Sequence, residues 1–453
     1  LVGRERAGQP PDRGGRAAVG RQHRAQQHAL AGRLGVAHGL DVREVRKAQA
    51  GQGVARAVVE AACLRVQLAG VERREAFRRV RVVASDLLRD FPRTAARRTG
   101  LGIESTSFRS GLPHESVLEI DVLTGAGEII TATPTNEHAD LFFGFPNSYG
   151  TLGYSVRLKI ELEPVKPFVE LRHVRFTDLE SLVSTMTLIV DKKSYDGMPV
   201  DYLDGVVFSA DESYLVLGRQ TDDESIPLSD YTGNDIYYRS IQHDPSATPK
   251  TDRLTIHDYL WRWDTDWFWC SRAFGAQHPV VRRLWPRRLR RSSFYWKLIG
   301  YDQRFNIADR IETGRGRPPR ERVVQDIEVP LERCAEFLDW FLGTVPITPI
   351  WLCPLRLRDP AGWPLYPIRP GHTYVNVGFW SSVPVGPEPG YTNRMIEAKV
   401  SELDGHKSLY SDAFYSREEF DALYGGPAYD AAKKTFDPET RFLDLYSKAV
   451  QRR

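Results

Sequence analysis

A glycine-bounded turn that leads directly into an alternating segment constrains this chain more than any other feature. Residues 140–153 read Asp-Leu-Phe-Phe-Gly-Phe-Pro-Asn-Ser-Tyr-Gly-Thr-Leu-Gly. From Val156 to Leu162 apolar residues alternate with charged ones, and this period of two predicts a strand with one buried face. Gly150 and Gly153 allow backbone torsions and close approaches that a Cβ would prevent. Such a loop of exposed N–H groups is suited to hold a phosphate or a flat cofactor, although an ordinary tight turn gives the same pattern.

A second glycine turn lies shortly upstream. Residues 99–107 read Thr-Gly-Leu-Gly-Ile-Glu-Ser-Thr-Ser, in which a Gly-x-Gly turn precedes three hydroxyl side chains. Between the two turns, strand-like segments at 117–122 and 128–133 are joined by Thr-Gly-Ala-Gly, which predicts a β-hairpin. The sequence therefore predicts two glycine turns linked by antiparallel strands.

This ordered set resembles the second half of the FAD-binding domain in the vanillyl-alcohol-oxidase superfamily, and within that group the Δ24-sterol reductase (24-dehydrocholesterol reductase) branch. The match begins near residue 99 and continues to the C-terminus. The motifs that carry it occur in the family's order: Gly102-Ile103-Glu104-Ser105, Asp140-Leu141-Phe142, Gly150-Thr151-Leu152-Gly153, Val323-Val324-Gln325-Asp326, Pro349-Ile350-Trp351-Leu352-Cys353-Pro354 and Arg417-Glu418-Glu419-Phe420.

The resemblance implies an α+β fold with an FAD-binding domain of the PCMH type and a substrate cap. Residues 99–165 are expected to form the second half of the flavin domain and residues 166–390 the α+β cap. Residues 391–453 are expected to return to the flavin site. The residues expected to contact FAD are Gly100, Gly102, Ile103, Glu104, Ser105, Gly150, Thr151, Leu152, Gly153 and Val156.

Local patterns agree with a cap that begins after two prolines. Pro164 and Pro167 mark a boundary, and a predicted strand at 168–176 is followed by Asp178, a good N-cap, and an amphipathic helix. The same order of strand and helix recurs at 323–342. Further strands are predicted near 205–210, 213–217, 347–355 and 373–379, and these complete the sheet of an α+β unit.

The first 98 residues do not match the family. They are rich in arginine and alanine, contain one lysine, and lack Asn, Ile, Tyr, Trp and Met. We favour the hypothesis that GC-rich DNA has been read out of register here, so that the N-terminal part of the flavin domain is missing or garbled. A disordered extension and, least favoured, a basic nucleic-acid arm remain open.

Composition limits the class of protein. The chain has 453 residues, 41% of them hydrophobic and 27% charged, as in a soluble globular protein. No apolar run is long enough to span a membrane and no signal peptide is legible. The four cysteines and the histidines lack metal-ligand spacing, so we predict no metal and a reduced, cytoplasmic setting.

Four tryptophans lie within residues 261–269. Core packing is the commoner explanation of such a cluster, but Asp264 and Asp266 lie between the rings and would be costly in a dry core. The wall of a large apolar substrate pocket accommodates both facts. We therefore assign a pocket wall to Trp261, Trp263 and Trp267. The resemblance adds Asp326, on the strand that faces the flavin in relatives, and Trp351 on a neighbouring strand.

The segment Arg282–Arg291 combines six arginines with Trp and Leu. A solvated basic loop is one interpretation. The other is peripheral contact with an anionic membrane, where a lipid-handling enzyme would reach its substrate. Nucleic acid is the least favoured partner, and we predict none.

The resemblance implies reduction of an isolated C=C bond of a sterol-like or polyprenyl lipid, with FAD as the hydride carrier and NADPH as the electron donor. Because no carbonyl is conjugated to such an alkene, an acid must supply a proton as the hydride arrives. The candidates near the expected flavin edge are Tyr410, Asp412 and Tyr415. Gln325 begins the strand that faces the flavin in relatives and is a fourth candidate catalytic residue.

Two other functions remain open. An alcohol or sugar oxidase or dehydrogenase of the same superfamily would take hydride from a carbinol carbon. A cofactor-free lipid-binding remnant would fit the anomalous N-terminus. The sequence gives no prediction of oligomeric state.

Overall fold

The computed structural model describes residues 103–231, 236–242, 251–269, 275–305 and 307–452. The hypotheses on residues 1–98, and the predicted contacts of Gly100 and Gly102, lie outside the described residues. The element labels below number the described elements in chain order.

The strands are β1 (Val117–Thr124), β2 (Ile129–Ala132), β3 (Gly153–Ile160), β4 (Phe168–Phe176), β5 (Ser194–Tyr195), β6 (Met198–Pro199), β7 (Tyr202–Ser209), β8 (Glu212–Thr221), β9 (Thr251–Thr255), β10 (Arg320–Pro330), β11 (Ile350–Arg356), β12 (Thr373–Pro384) and β13 (His406–Lys407). The helices are α1 (Ser107–Ser110), α2 (Ala139–Gly144), α3 (Leu179–Lys192), α4 (Tyr237–Ile241), α5 (Ile256–Trp261), α6 (Pro279–Leu284), α7 (Ser292–Phe305), α8 (Ile307–Gly314), α9 (Cys334–Thr344), α10 (Tyr391–Glu402), α11 (Arg417–Tyr424), α12 (Gly426–Phe436) and α13 (Leu445–Ala449). Short 3-10 helices occur at Pro113–Ser116, Asp264–Trp269, Arg287–Leu289 and Leu331–Arg333.

The first sheet has three strands in the order β2-β1-β3 among the described residues. The predicted hairpin is confirmed, because β1 and β2 pair in antiparallel register from Ile120–Ala132 to Leu123–Ile129. The predicted fully buried face of the alternating segment is wrong. Val156, Leu158 and Ile160 are half-buried. Strand β3 stops at Ile160, and Leu162 lies beyond it with 46% of its surface exposed.

The second sheet has eight strands in the order β13-β10-β12-β11-β7-β8-β4-β9 among the described residues. Its neighbouring strands pair antiparallel, and β10 and β12, the second and third strands in this order, pair from Arg320–Pro384 to Pro330–Tyr374. Pro164 and Pro167 fall in the connection between the two sheets. The mixture of helices with antiparallel sheets is α+β, as predicted. The limits assigned to the flavin domain, the cap and the C-terminal segment stay predictions.

Helices α3, α9 and α10 cover one face of the eight-stranded sheet. Helix α3 begins at the predicted N-cap, where the Asp178 carboxylate accepts from Ser181 N. It buries Leu182, Met186 and Ile189 against this face. Helix α9 is preceded by a 3-10 turn, so that the predicted helix at 331–342 consists of two segments. This layer forms the largest apolar core of the described residues.

The opposite face of the sheet is divided between two kinds of side chain. Over β4, β7 and β8 it packs against an aromatic cluster that contains Tyr231, Tyr237 and Tyr259. Over β10, β11 and β12 it presents polar groups and tryptophans, and these form the candidate site. Within the described residues, no helix combines the length and the apolarity needed to cross a membrane.

Candidate active site

The site is built on the sheet face that points away from the helices. Cross-strand register places Asp326 of β10 opposite Gly378 of β12, and Gly378 opposite Trp351 of β11. A Cβ at Gly378 would come within 2.6 Å of Asp326 Oδ1 and 2.5 Å of the Trp380 ring. Glycine at this position therefore leaves space for the carboxylate and the indole.

Tyr410 meets this face through its hydroxyl group. The Tyr410 hydroxyl donates to Asp326 Oδ2 at 2.8 Å and accepts from Trp380 Nε1 at 3.3 Å. Asn376 Nδ2 donates to the other carboxylate oxygen of Asp326 at 3.2 Å. Both Asp326 oxygens are thus engaged, and the carboxylate is fixed between a phenol and an amide.

The surroundings of Tyr410 change its acidity. The residue is 47% exposed, but its hydroxyl points inward to the carboxylate. Burial of the hydroxyl end and the charge of Asp326 raise the pKa of Tyr410 well above its ordinary value. The phenol therefore keeps its proton through the physiological pH range.

A second carboxyl group lies two residues further along the same face. Glu328 is fully buried, and burial raises its pKa well above the ordinary value, with a further contribution from Asp326. Ser408 Oγ donates to Glu328 Oε1 at 3.4 Å, and His406 Nε2 lies 3.5 Å from Oε2. Burial lowers the pKa of His406 to about 3, so we describe Glu328 and His406 as a neutral pair.

Several buried polar atoms at this face have no hydrogen-bond partner among the described residues. They are Asn376 Oδ1 and His406 Nδ1, together with Glu328 Oε2 and His406 Nε2, which face each other without hydrogen-bond geometry. Most buried polar groups in folded proteins are hydrogen-bonded, so these atoms are available to a ligand or to water. Residues Glu328, Asn376 and Trp380 were missed in the sequence analysis, since only cross-strand register places them beside Asp326.

Tyr149 connects the glycine loop to this site. Its hydroxyl accepts from Leu409 N at 3.1 Å, next to Tyr410 in the chain. Burial, opposed by that hydrogen bond, raises the pKa of Tyr149, and the negative charges of Glu328 and Asp326 add to the effect. Tyr149 has a positive φ of 50°, which is uncommon for a bulky residue and often marks a functional loop. Its position directly before Gly150 was the sequence signal that could have identified it.

Gln325 does not belong to the same face as Asp326. It is fully buried on the helix side of β10, where Gln325 Nε2 donates to Asn393 Oδ1 of α10. Asn393 in turn donates to Glu321 Oε1 through its backbone and side-chain nitrogens. Adjacent residues of a strand point to opposite faces, and the structure therefore separates the predicted catalytic Gln325 from Tyr410.

Asp412 and Tyr415 also lie elsewhere. The Asp412 carboxylate pairs with Arg452, and both residues line a cavity of about 300 Å³ with Arg394, Phe414 and Tyr446. Tyr415 is buried, with its ring centroid 5.8 Å from that of Tyr424, and burial raises its pKa. Of the three predicted acids, the structure brings only Tyr410 into contact with Asp326.

The glycine turn at 140–153 is held mostly by contacts within the protein. Gly150 has a φ of +75°, and a Cβ at Gly153 would lie 2.5 Å from the Leu123 carbonyl oxygen. Thr151 and Leu152 are fully buried, and Lys433 Nζ donates to the Thr151 carbonyl at 2.8 Å. The need for glycine at 153 is therefore explained by close packing on β1.

Residues 103–105, which follow the upstream Gly-x-Gly segment in the sequence, touch the eight-stranded sheet. Ser105 Oγ donates to Asp204 Oδ2 at 2.9 Å, and the Ser105 carbonyl accepts from Leu203 N. The Glu104 carbonyl accepts from Cys353 Sγ at 3.3 Å, while its side chain is exposed. Ile103 packs between the two cores. The structure thus places residues 103–105 beside β7 and beside β11, the strand that carries Trp351.

A buried ion pair anchors this contact. Arg262 donates to Asp204 Oδ2 at 2.6 Å, and its guanidinium carbon lies 4.0 Å from the centroid of the Tyr259 ring. Burial raises the pKa of Asp204, and the positive charge of Arg262 opposes that shift. Neither Asp204 nor Arg262 was identified from the sequence, because no local motif distinguishes them.

The tryptophan cluster is distributed over several contacts. Trp263 is half-buried and meets the Tyr237 ring edge-on at 4.8 Å, within the aromatic cluster. Trp261 is half-buried beside His257, and the side chain of Trp267 lies outside the described residues. Asp264 accepts from Ser292 N at 3.1 Å at the start of α7. Packing accounts for the described contacts, and the predicted pocket role of these tryptophans stays a prediction.

The described residues contain no group of three or more His, Cys, Asp or Glu side chains placed to hold a metal ion.

Comparison with known proteins identifies relatives of the chain. It is 27% identical over 360 residues to the Delta(24)-sterol reductase of Mus musculus, covering 77% of this chain and 66% of that protein. The Delta(24)-sterol reductase of Arabidopsis thaliana is 25% identical over 382 residues. The chain is a homologue of the Delta(24)-sterol reductases. The resemblance inferred from its motifs is thus confirmed.

The extent of the similarity is limited. The chain spans 66% of the length of these curated relatives, slightly less than two thirds. A shorter match, 34% identical over 106 residues, links 23% of the chain to cytokinin dehydrogenase 10 of Oryza sativa subsp. japonica. No protein-family model matches the chain.

Proposed function

We propose that this chain is a flavin-dependent oxidoreductase that reduces an isolated C=C bond of a sterol-like or polyprenyl lipid. The observation that carries the proposal is the Tyr410 phenol, which is hydrogen-bonded to Asp326 on a sheet face that also presents two tryptophans. The name of the relatives supports the reaction and the class of substrate.

The residues present fit a flavin. The unsatisfied Asn376 and Glu328 oxygens lie on the site face, and Asn147 Oδ1 in the glycine loop is likewise buried without a partner among the described residues. The loop around Tyr149 and Gly150, together with Ser105, would hold FAD, since both approach the site face. When bound, FAD would supply hydride, and NADPH would restore the reduced form.

The proton is held by Tyr410. Protonation of an isolated alkene leaves positive charge at the other carbon, which the hydride then neutralises, so the acid must act with or ahead of the hydride. The raised pKa of Tyr410 makes the phenol a weak acid but keeps it protonated at neutral pH. Asp326 fixes the position of the hydroxyl, and Asn376 fixes Asp326.

Trp351 and Trp380 would complete the pocket. Their ring centroids are 6.5 Å apart, and Trp351 is 9% exposed. Indole faces stabilise positive charge that develops nearby. We assign these two residues to the substrate pocket together with Asp326.

The proposal is tested by spectroscopy and steady-state kinetics on the purified full chain. We expect a flavin absorption spectrum after incubation with FAD, and NADPH consumption that depends on a sterol alkene. Tyr410→Phe should lose alkene reduction by about 10²-fold or more while keeping the flavin spectrum. Tyr391→Phe, which changes another exposed tyrosine, is the matched control and should keep full activity. A Tyr410→Phe protein with unchanged alkene reduction would remove Tyr410 from the mechanism, and a chain that binds no flavin would overturn the proposal.

A second function has support from the same hydrogen bond. A carboxylate that accepts from a phenol can also act as a proton acceptor, which suits oxidation of a carbinol carbon. Reduction of bound flavin by an alcohol, without NADPH and without alkene turnover, would favour this dehydrogenase function over the reductase.

We also retain the proposal that Arg282–Arg291 makes a peripheral contact with an anionic membrane. Arg283, Arg288 and Arg291 are exposed and make no ion pair with described residues, whereas Arg290 is buried and donates to the carbonyl groups of Trp285 and Arg282. The segment is thus partly structural, which reduces the number of arginines available to lipid.

A further inference from the structure

Helices α6, α7 and α8 form a basic arm, which we define as residues 279–319. Its basic residues are Arg282, Arg283, Arg287, Arg288, Arg290, Arg291, Lys297, Arg304, Arg310, Arg315 and Arg317. Its acidic residues are Asp302, Asp309 and Glu312. The arm therefore carries a large positive charge, although the net charge of the whole chain is only +3.

The start of α7 anchors the arm to the rest of the protein. Tyr295 is fully buried, and its hydroxyl donates to the Thr265 carbonyl at 3.0 Å. Ser292 N donates to Asp264 Oδ1 at 3.1 Å. The arm is thus a folded element with a defined attachment.

Beyond this anchor the arm exposes large apolar side chains. Tyr301 is 58% exposed and Phe305 46%, and their rings stack with centroids 6.5 Å apart. On α8, Ile307 is 44% exposed and Ile311 47%, one helical turn apart. No residue of α8 is buried among the described side chains. Large apolar groups exposed together in this way mark an interaction surface.

Several of the positive charges are available to a partner, although others are engaged within the protein. Glu312 is near Arg315 and Arg317, and Asp302 is near Arg322. The other basic side chains at the exposed end, Lys297, Arg304 and Arg310, make no ion pair with described residues. Arginine beside exposed aromatic and aliphatic groups is the composition of a helix that lies in a lipid interface.

We propose that the basic arm inserts the apolar side chains of α7 and α8 into an anionic lipid surface. Charge complementarity favours an anionic lipid surface as the partner of the arm, because a strongly basic element attracts anionic headgroups. Ile307 and Ile311 favour lipid over nucleic acid, since aliphatic side chains gain little from phosphate or from stacking on bases. This inference extends the proposed contact of Arg282–Arg291 to an inserted element, and it is independent of the catalytic part of the proposed function.

Vesicle co-sedimentation of the full chain tests the arm. The probes are vesicles of phosphatidylcholine alone and of phosphatidylcholine with phosphatidylserine. We expect binding only to the anionic vesicles at low salt. The triple variant Phe305→Ser/Ile307→Ser/Ile311→Ser should bind about tenfold more weakly or worse, because it removes the inserted area. The matched control Leu118→Ser/Ile129→Ser changes exposed apolar residues of the three-stranded sheet and should bind like the parent.

Variants that remove positive charges distinguish electrostatic attraction to the vesicle from insertion of the apolar side chains. Lys297→Gln/Arg304→Gln/Arg310→Gln should weaken binding to anionic vesicles by about tenfold or more. Lys192→Gln/Lys434→Gln, which changes exposed lysines elsewhere, should leave it unchanged. All these positions are on the surface, and thermal unfolding of each variant checks that it is folded.

Several results would overturn the inference. These are equal binding to neutral and anionic vesicles, unchanged binding of the apolar triple variant, no binding at all, and a shift to dimer that the apolar variant abolishes. Tight binding of a single-stranded oligonucleotide that displaces vesicles would assign the arm to nucleic acid instead. Reduction of a detergent-dispersed sterol measures the proposed catalytic function separately, so loss of vesicle binding with activity retained rejects only the arm.

Discussion

At the scale of the residue, the site depends on one carboxylate and one phenol. Asp326 accepts from Tyr410 and from Asn376, so a single charged group orients the proposed proton donor and is itself fixed. Tyr410 and Asp326 are far apart in sequence. The resemblance predicted a role for each, while their hydrogen bond is a result of the tertiary structure.

Removal of the Asp326 charge should change the acidity of Tyr410. A carboxylate beside a phenol stabilises the protonated phenol, so Asp326→Asn should lower the pKa of Tyr410 toward its ordinary value. Ultraviolet difference titration of phenolate, with Tyr410→Phe used to identify the signal, measures this change. The control is Asp412→Asn, whose carboxylate pairs with Arg452 instead. An unchanged titration in Asp326→Asn would mean that the hydrogen bond is absent in solution.

At the scale of the element, the two faces of strand β10 have different roles: one packs against the helices and the other forms part of the candidate site. Gln325 faces α10 and donates a hydrogen bond to Asn393. Asp326 lies on the opposite face, which also carries Trp351 and Trp380. The strand predicted at the start of 323–342 is present as Arg320–Pro330. Which face would meet the helices was not predicted, since both faces of β10 carry polar residues in the sequence.

Gln325→Leu should therefore affect stability rather than the site. It leaves Asn393 Oδ1 without its donor in a buried position, which costs roughly 1–3 kcal/mol of unfolding free energy. Chemical denaturation measures the loss, and the Tyr410 titration should stay as in the parent. If Gln325→Leu were as stable as the parent and lost alkene reduction, Gln325 would be a catalytic residue as the sequence analysis predicted.

At the scale of the whole molecule, several ionisable groups are buried in their neutral forms. Burial lowers the pKa of His114 and of His406 to about 3 from an ordinary value of 6.5. Below pH 6.5 the unfolded chain binds protons that the folded chain does not, so stability falls as the pH is lowered toward 3. Glu328 acts in the opposite direction, because its raised pKa makes unfolding release a proton as the pH rises above 4.5.

His114 offers the cleanest measurement of this pH dependence. Its ring stacks on Tyr366 with centroids 4.2 Å apart, so phenylalanine should fit the same space. Between pH 6.5 and 4, His114→Phe should lose less stability than the parent, by about 1.4 kcal/mol per pH unit at most. Urea denaturation at several pH values measures the difference, with the exposed His372→Phe as control. Parallel curves for parent and His114→Phe would show that His114 is not buried in solution.

The sequence by itself determined the α+β class, the hairpin, the helix that starts at Asp178, and the family resemblance. These follow from local periodicity, turn residues and ordered motifs, which can be read from the sequence without knowledge of the tertiary structure. The tertiary structure decided which candidates meet. It joined Tyr410 to Asp326, separated Gln325 from them, paired Asp412 with Arg452, and added Glu328, Asn376, Trp380 and Tyr149 to the site. Such choices depend on strand register and on how loops cross the sheet, and the free energy that fixes them comes from contacts between residues far apart in the chain.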